Sequence, residues 1–504
     1  MSELIEKTRK STYFTLPAQL ITRVLGVGYV VLLARSLSVE EYGVYNFVVG
    51  ALLVFGFLSN FGLASSLQRF LPEYSKLKKD SLLIKTIYFA HYFRTILGLL
   101  VLAIAIISFD SWSGQFGIEE RKIEFILFTI GAFFLFQIEY LQIELNALFM
   151  HWATSIAQII YSLLKFILVS VVFFYGFGLK EMLAAEAFSY LIGMLFAIYA
   201  LIYHVILPLK KQREINKKEE LEYKRLLRYS GYNAMVIPGN IMFSHSMDYF
   251  VIAAMASPYD LGIYALASRV SKMITSIMPQ NILQSVIRPA FYHHYFAVED
   301  KNKELEKMLN SLVRLIAAFL FPTVALVLVT AEPLITIVFG TEYTDAVTVF
   351  MVLVVFMLFT ALEFPSDMVL QAIEKVEARL YAQIFAVYNV IAAIVLMNMY
   401  GIIGVAIATG TALMFKCLFF YYMANYYTGI KVDFWSLVRI GFNTCISALA
   451  SYAVIKLDTT LPYFLLSLIV GASVYILMTY LNNFMNNNEK ALVNSFVKRR
   501  VFNV

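Results

Sequence analysis

Charge is what this chain of 504 residues has least of: Asp, Glu, Lys and Arg make up 15%, against 60% hydrophobic residues. A soluble protein of this length could not cover its surface with so few charges. Cysteine is nearly absent too. Cys417 and Cys445 both fall inside expected helices, offer no disulfide framework, and read as packing residues. No phosphate-cradling Gly-rich loop ends in Lys-Ser/Thr, no H-E-x-x-H occurs, and no Cys/His cluster has metal-ligand spacing. The histidines are scattered, with only His293 and His294 adjacent. Nothing here reads as an enzyme, and no cofactor is expected.

What the chain has instead is apolar length. About 20 apolar residues at 1.5 Å rise cross a hydrocarbon core, and backbone groups there must be satisfied internally, which favours helices. Such stretches recur about fourteen times. Spans 1 to 6 are expected near 12–34, 42–62, 86–108, 123–147, 153–176 and 183–206. Spans 7 to 12 are expected near 231–256, 260–282, 312–330, 344–363, 380–398 and 402–424, and spans 13 and 14 near 435–455 and 461–481. The first run is broken by Arg23 and closed by no A-x-A site, so a retained helix is expected rather than a signal peptide. The fold class is therefore an all-α polytopic membrane protein.

Basic residues divide by side. The N-terminus, the even-to-odd loops and the tail hold 27 of the 40 Lys and Arg, the odd-to-even loops five, and the spans eight. The positive-inside rule puts both termini in the cytoplasm. The run Lys210, Lys211, Arg213, Lys217, Lys218, Lys224, Arg225 and Arg228 then reads as a topology determinant beside anionic head groups, not as a nucleic-acid site.

That charged stretch also separates two similar halves. Glu41-Tyr42-Gly43-Val44-Tyr45 opens span 2 and Asp260-Leu261-Gly262-Ile263-Tyr264 opens span 8. The same offset pairs Arg69 and Pro72 with Arg288 and Pro289, and Tyr175-Gly176 matches Tyr400-Gly401 further on. The expected organisation is an N-terminal bundle (1–208), a cytoplasmic linker (209–230), a C-terminal bundle (231–425), and spans 13 and 14 with a tail (426–504). Parallel repeats of this kind are a transporter architecture with the substrate path between halves.

A charge at mid-membrane costs on the order of 3 kcal/mol on insertion scales and asks for a reason. Arg314, Arg439 and Lys416 lie near enough to the cytoplasmic boundary to snorkel. Arg23, Arg94, Lys165, Arg269 and Lys272 lie deeper. Arg269, Lys272, Ser276 and Gln280 share a sector of about 80° on span 8. Thr12, Thr15, Gln19, Thr22, Arg23 and Gly26 form a stripe on span 1, and Ser155, Gln158, Ser162 and Lys165 another on span 5. Asn233, Asn240, Ser244 and Asp248 line span 7, which Pro238 is placed to kink. On span 4, Gln137 and Glu144 occupy one face and Glu139, Gln142 and Asn146 the other, so at least one carboxylate should pair inside its bundle, with Lys165 or Arg94. Asp248, Glu139 and Glu144 are candidates for ion coupling. Glu186, near the outer end of span 6, is expected to be wet.

These residues resemble a known family. Leu33-Ala34-Arg35-Ser36-Leu37 followed by Glu41-Tyr42-Gly43-Val44-Tyr45 is similar to the opening signature of the polysaccharide-biosynthesis exporters. These are the O-antigen (Wzx-type) flippases of the multidrug/oligosaccharidyl-lipid/polysaccharide (MOP) superfamily. Asn60-Phe61-Gly62-Leu63 with Arg69 and Pro72, Asp248 ahead of Gly262-Ile263-Tyr264 and Pro289, and Pro333-Leu334-Ile335, Phe339-Gly340, Tyr343 and Ala346 extend the resemblance over most of 12–425. Ser38 stands where glycine is common. The resemblance implies fourteen helices and a flippase in the cell membrane, moving a polyprenyl-diphosphate-linked oligosaccharide from the cytoplasmic to the outer leaflet. A peptidoglycan-precursor flippase and a multidrug exporter of the same fold are the alternatives. Expected partners are the lipid-linked substrate, membrane lipids, and a polysaccharide polymerase and glycosyltransferases; a monomer is the default. An anionic diphosphate needs cations at depth, and Arg269, Lys272 and Arg23 are the candidates to hold it. Gln19, Asn233, Asn240, Ser244, Ser276 and Gln280 are the candidates to line the cavity.

Overall fold

Ser38 opens the helix Val39–Asn60 with a capping box. Its side chain accepts the Glu41 amide while the Glu41 carboxylate accepts the Ser38 amide, so the first turn of the helix Val39–Asn60 has its exposed donors satisfied. The computed structural model describes residues 2–211, 223–234, 237–278, 280, 281, 287, 291, 295, 300–375 and 377–482. The expectations for Arg288, Pro289, His293 and His294, and for the side chains of Thr12, Thr15 and Asn240, lie outside the described residues. Among the described residues every regular element is helical, and ten helical stretches are long and apolar enough to cross a membrane. One of those ten, Glu377–Thr428, contains two of the expected spans.

Two compact units divide the chain, Met1–Gly262 and Ile263–Val504. The first holds α1 (Ser2–Ser36), α2 (Val39–Asn60), α3 (Leu63–Lys76), α4 (Asp80–Ile107), α5 (Lys122–Ala147), α6 (His151–Tyr175), α7 (Leu179–Leu201), α8 (Tyr223–Ala234), α9 (Ile237–Met242) and α10 (His245–Met255). Next comes α11 (Pro258–Ser276), which begins in the first unit and ends in the second. In the first unit α1 packs on α6, α5 on α7, and α6 on α7. Small buried residues let these backbones approach: Ala153 and Ala157 on α6, Ala197 and Ala200 on α7, and Gly131 on α5 against Ala187.

The repeat motifs meet at their glycines. A Cβ on Gly43 would lie 2.1 Å from the Pro258 carbonyl oxygen and 2.8 Å from the Gly262 nitrogen, and one on Gly262 would lie 2.0 Å from the Val39 carbonyl oxygen. The start of α11 therefore runs backbone to backbone along the start of α2, and only glycine fits at either position.

The span expected over 231–256 is interrupted among the described residues at Phe243 and Ser244, between α9 and α10. Pro238 and Gly239 sit in α9, and Ser244 turns to extended backbone (φ −83°, ψ 150°) before α10 resumes. Ser244, a poor helix former, stands at the interruption. The amphipathic α3 is a further departure from the expected spans. At 14 residues it is too short to cross, and it buries Leu63, Leu67, Phe70, Leu71 and Tyr74 on one face while exposing Gln68, Arg69 and Lys76 on the other.

The second unit holds α12 (Lys301–Val329), α13 (Ala346–Ala372), the stretch Ile384–Thr428, α16 (Phe434–Ile455) and α17 (Leu461–Asn482). Ile384–Thr428 is two helices, α14 (384–400) and α15 (402–428), divided at Gly401 (φ 60°, ψ −146°). Gly404 then lets α15 fold back on α14, since a Cβ there would lie 2.1 Å from the Leu396 carbonyl oxygen. The last helix pair is tied to α12. Asn310 donates to the Lys431 carbonyl at 2.9 Å and accepts the Asp433 amide at 2.8 Å. Arg314 meets Asp433 at 3.0 Å, and Ile440 packs on Ala317 and Ala318. Between the two last helices, Ser447 donates to the Gly471 carbonyl at 2.7 Å.

Candidate functional site

Residues Leu261 to Ser268 of α11 are all buried. One turn later the helix changes character: Arg269 is half-buried and Lys272 exposed, three residues apart and so on one face. At 1.5 Å per residue Arg269 stands about 16 Å along α11 from Pro258. Ser276 donates to the Met273 carbonyl at 2.7 Å. Gln280 is buried, and neither of its amide atoms finds a partner among the described residues. In the first unit Arg23 is half-buried and Gln19 exposed on α1, with the Gln19 carbonyl accepting from Thr22 at 3.1 Å. Asn233 donates to the Tyr229 carbonyl at 2.8 Å, and Ser244 to the Ile241 carbonyl at 2.7 Å. These two polar side chains of the broken span thus satisfy local backbone.

The interior of the first unit corrects the reading of Glu186. It is 3% exposed rather than wet. Its Oε1 accepts from the hydroxyls of Tyr29 and of Tyr45, the latter at 3.0 Å, and stands 3.8 Å from Lys165 Nζ. Lys165 also donates to the Tyr190 hydroxyl at 3.2 Å and lies 4.0 Å above the Tyr29 ring. Helices α1, α2, α6 and α7 therefore share one closed polar knot. No local pattern signals it, because the tyrosine partners stand 157 and 141 residues from Glu186. Lys165 accordingly answers Glu186. Of the stripe on α6, Gln158 donates to Gln142 at 3.1 Å, and beside it Thr154 donates to Asn146 at 3.0 Å.

The two faces of α5 separate as expected, with Gln137 and Glu144 buried and Glu139 and Asn146 exposed. Glu144 pairs with His91 on α4 at 2.8 Å. Arg94 donates to the Phe136 carbonyl at 2.6 Å and lies 4.3 Å over the Tyr140 ring, beside a cavity of about 10 Å³ that it lines with Gln137. Asp248 is buried with His245 at 3.0 Å. In the second unit Lys416 does not snorkel but meets Glu363 at 3.0 Å.

The sequence model of the polysaccharide biosynthesis protein family matches residues 32–348, more than half of the chain. The protein belongs to that family. The match runs from the Leu33–Leu37 signature through α11 and into the start of α13. No curated protein matches the sequence significantly. Among solved structures, a lipid II flippase MurJ in an inward closed conformation superposes with a TM-score of 0.71 at 17% identity, covering 97% of this chain and 100% of its own. An inward-facing multidrug resistance MATE family transporter of the MOP superfamily gives 0.64 at 16% identity, covering 81% and 94%. A point mutant of the Vibrio cholerae MATE transporter VcmN gives 0.52 at 11% identity, covering 85% and 98%. At these identities the likeness establishes the fold alone: the family member shares the polytopic helical architecture of these structures.

Proposed function

We propose that this family member is a flippase for a polyprenyl-diphosphate-linked oligosaccharide. It carries its substrate from the cytoplasmic to the outer leaflet of the cell membrane by alternating access, for surface polysaccharide biosynthesis. The observation that carries the reading is the pair Arg269 and Lys272 on one face of α11, in a member of a polysaccharide biosynthesis family. A lysine that stays exposed there calls for water rather than hydrocarbon around it. A unit negative charge about 4 Å from a cation gains roughly 4 kcal/mol at an effective dielectric near 20. Arginine offers phosphate paired donors and lysine a point charge. In this reading Arg269, Lys272 and Arg23 receive the diphosphate, Gln19, Asn233, Asn240, Ser244, Ser276 and Gln280 face the sugars, and the prenyl tail stays in lipid. The protein acts as a monomer without a cofactor, with both termini cytoplasmic and the two bundles divided at the 209–230 linker. Coupling through Asp248, Glu139 or Glu144 belongs to the same reading.

A second reading has its own observation. The superposition on a lipid II flippase over 97% of the chain favours a peptidoglycan precursor as the cargo. Complementation separates the two: a strain lacking its polysaccharide flippase, or one depleted of its lipid II flippase, is rescued according to the cargo. Arg269→Ala at wild-type membrane abundance should abolish whichever rescue is seen. Full rescue by that variant overturns the site, and rescue of neither strain overturns the function.

A further inference from the structure

A second cluster of cations lies in the first unit, away from α11. The turn Phe61–Gly62 carries α2 into α3 with both residues in the left-handed region (φ 44° and 70°). A Cβ on Gly62 would lie 2.2 Å from the Ser230 carbonyl oxygen, so α8 is seated directly against this turn. Ser66 and Ser230 share a hydrogen bond of 2.7 Å, and the Phe70 and Tyr229 rings meet edge to face at 5.5 Å. Between α3 and α8 runs a groove of about 500 Å³ lined by Arg69, Phe70, Lys224, Arg225, Arg228 and Tyr229. That volume falls within the range of about 300–1,000 Å³ typical of small-molecule sites.

The groove is built, not a chance crowding of surface lysines. The Arg225 guanidinium lies 4.7 Å over the buried Phe70 ring and meets Glu73 at 3.0 Å, and Arg69 meets the same carboxylate at 2.9 Å. One carboxylate thus orients two arginines, and four of the six lining residues are basic. The pattern fits a ligand with more than one negative charge on adjacent oxygens, which a guanidinium fork receives in pairs. Tyr229 adds an exposed aromatic face at the rim. The groove adjoins the loops that the distribution of Lys and Arg assigns to the cytoplasm, the side from which a lipid-linked glycan arrives.

We propose that the α3–α8 groove is a loading site for the diphosphate of a prenyl-linked substrate, occupied at the cytoplasmic head-group level before the cargo moves to Arg269 and Lys272. This deepens the flippase reading and rests on it. The probe is farnesyl diphosphate, bound to the full-length protein in phosphatidylcholine nanodiscs, with inorganic pyrophosphate and phosphatidylglycerol as competitors. Binding should weaken at least tenfold in Arg69→Gln/Arg228→Gln and be displaced by pyrophosphate. Glu73→Gln should tighten it severalfold, a change of sign that misfolding does not produce. Displacement by phosphatidylglycerol as effective as that by pyrophosphate would make the groove an anchor for bulk anionic lipid and overturn the proposal. Unchanged binding and complementation in Arg69→Gln/Arg228→Gln, with complementation lost in Arg269→Ala, would overturn the loading site while the flippase reading stands. A wild-type chain that neither binds the probe nor complements would overturn both.

Discussion

Alanine at Gly262 should force α2 and the start of α11 apart. The new Cβ would stand 2.0 Å from the Val39 carbonyl oxygen, whereas ordinary contact begins at 3.4 Å, so the backbones must separate by about 1.4 Å. The obstructing atom is main chain in the first turn of α2, held by the Ser38–Glu41 capping box, and no rotamer relieves it. Overpacking of this kind typically destabilises by about 1–3 kcal/mol, and a clash against backbone belongs at the upper end. At about 2–4 °C per kcal/mol for a unit of this size, the melting temperature should fall by roughly 6–12 °C. Gly43→Ala should act similarly through the Pro258 carbonyl oxygen at 2.1 Å, and the double variant should lose less than the sum, since both relieve through one separation. Gly441→Ala is the control: nothing lies within 4 Å of its Cβ, so it should be neutral or up to about 1 kcal/mol more stable. Heating detergent-solubilised protein and following the monodisperse peak by size-exclusion fluorescence measures each value. A wild-type melting temperature for Gly262→Ala would refute the close backbone packing.

Lys165→Met strands the Glu186 carboxylate in the interior of the first unit and should destabilise by about 3–5 kcal/mol. Lys165→Met/Glu186→Gln should recover much of that loss, and equal melting temperatures for single and double variants would count against the pair. Asp433 should show itself in acid. Hydrogen bonds from Ser436 and the Arg314 guanidinium hold its carboxyl below the usual carboxylate value. Its stabilising contribution is therefore complete above the unfolded value of about 3.9 and fades as pH falls through the lower folded one. Asp433→Asn should flatten that acid dependence below about pH 4, and an unchanged profile there would remove Asp433 from the account. Asp433→Ala should lose about 0.5–2 kcal/mol at neutral pH through the lost cap on α16, read from the same melts.

Apolar length announced most of the spans, because the hydrocarbon core leaves few other uses for 20 apolar residues. The glycines of the two repeat motifs were visible as a repeat, but their contact was not, since similarity between segments carries no distance. The interruption of span 7 at Ser244 had no proline or glycine of its own to announce it. Glu186 was misread for a physical reason: its position near a helix end was local information, and its three partners come from three other helices. The amphipathic α3 escaped a search tuned to uniform hydrophobicity, although its alternation of Leu67, Phe70, Leu71 and Tyr74 with Gln68, Arg69 and Lys76 follows a helical period.

The two helices that follow the repeats are fastened to α12 at one end by Asn310 and Arg314, and along the membrane by Ile440 against Ala317 and Ala318. They are passengers of that helix rather than loose appendages. A spin label or dye on α17, where Ile469 and Ile476 are exposed, would thus follow α12 without disturbing any side chain of the proposed site.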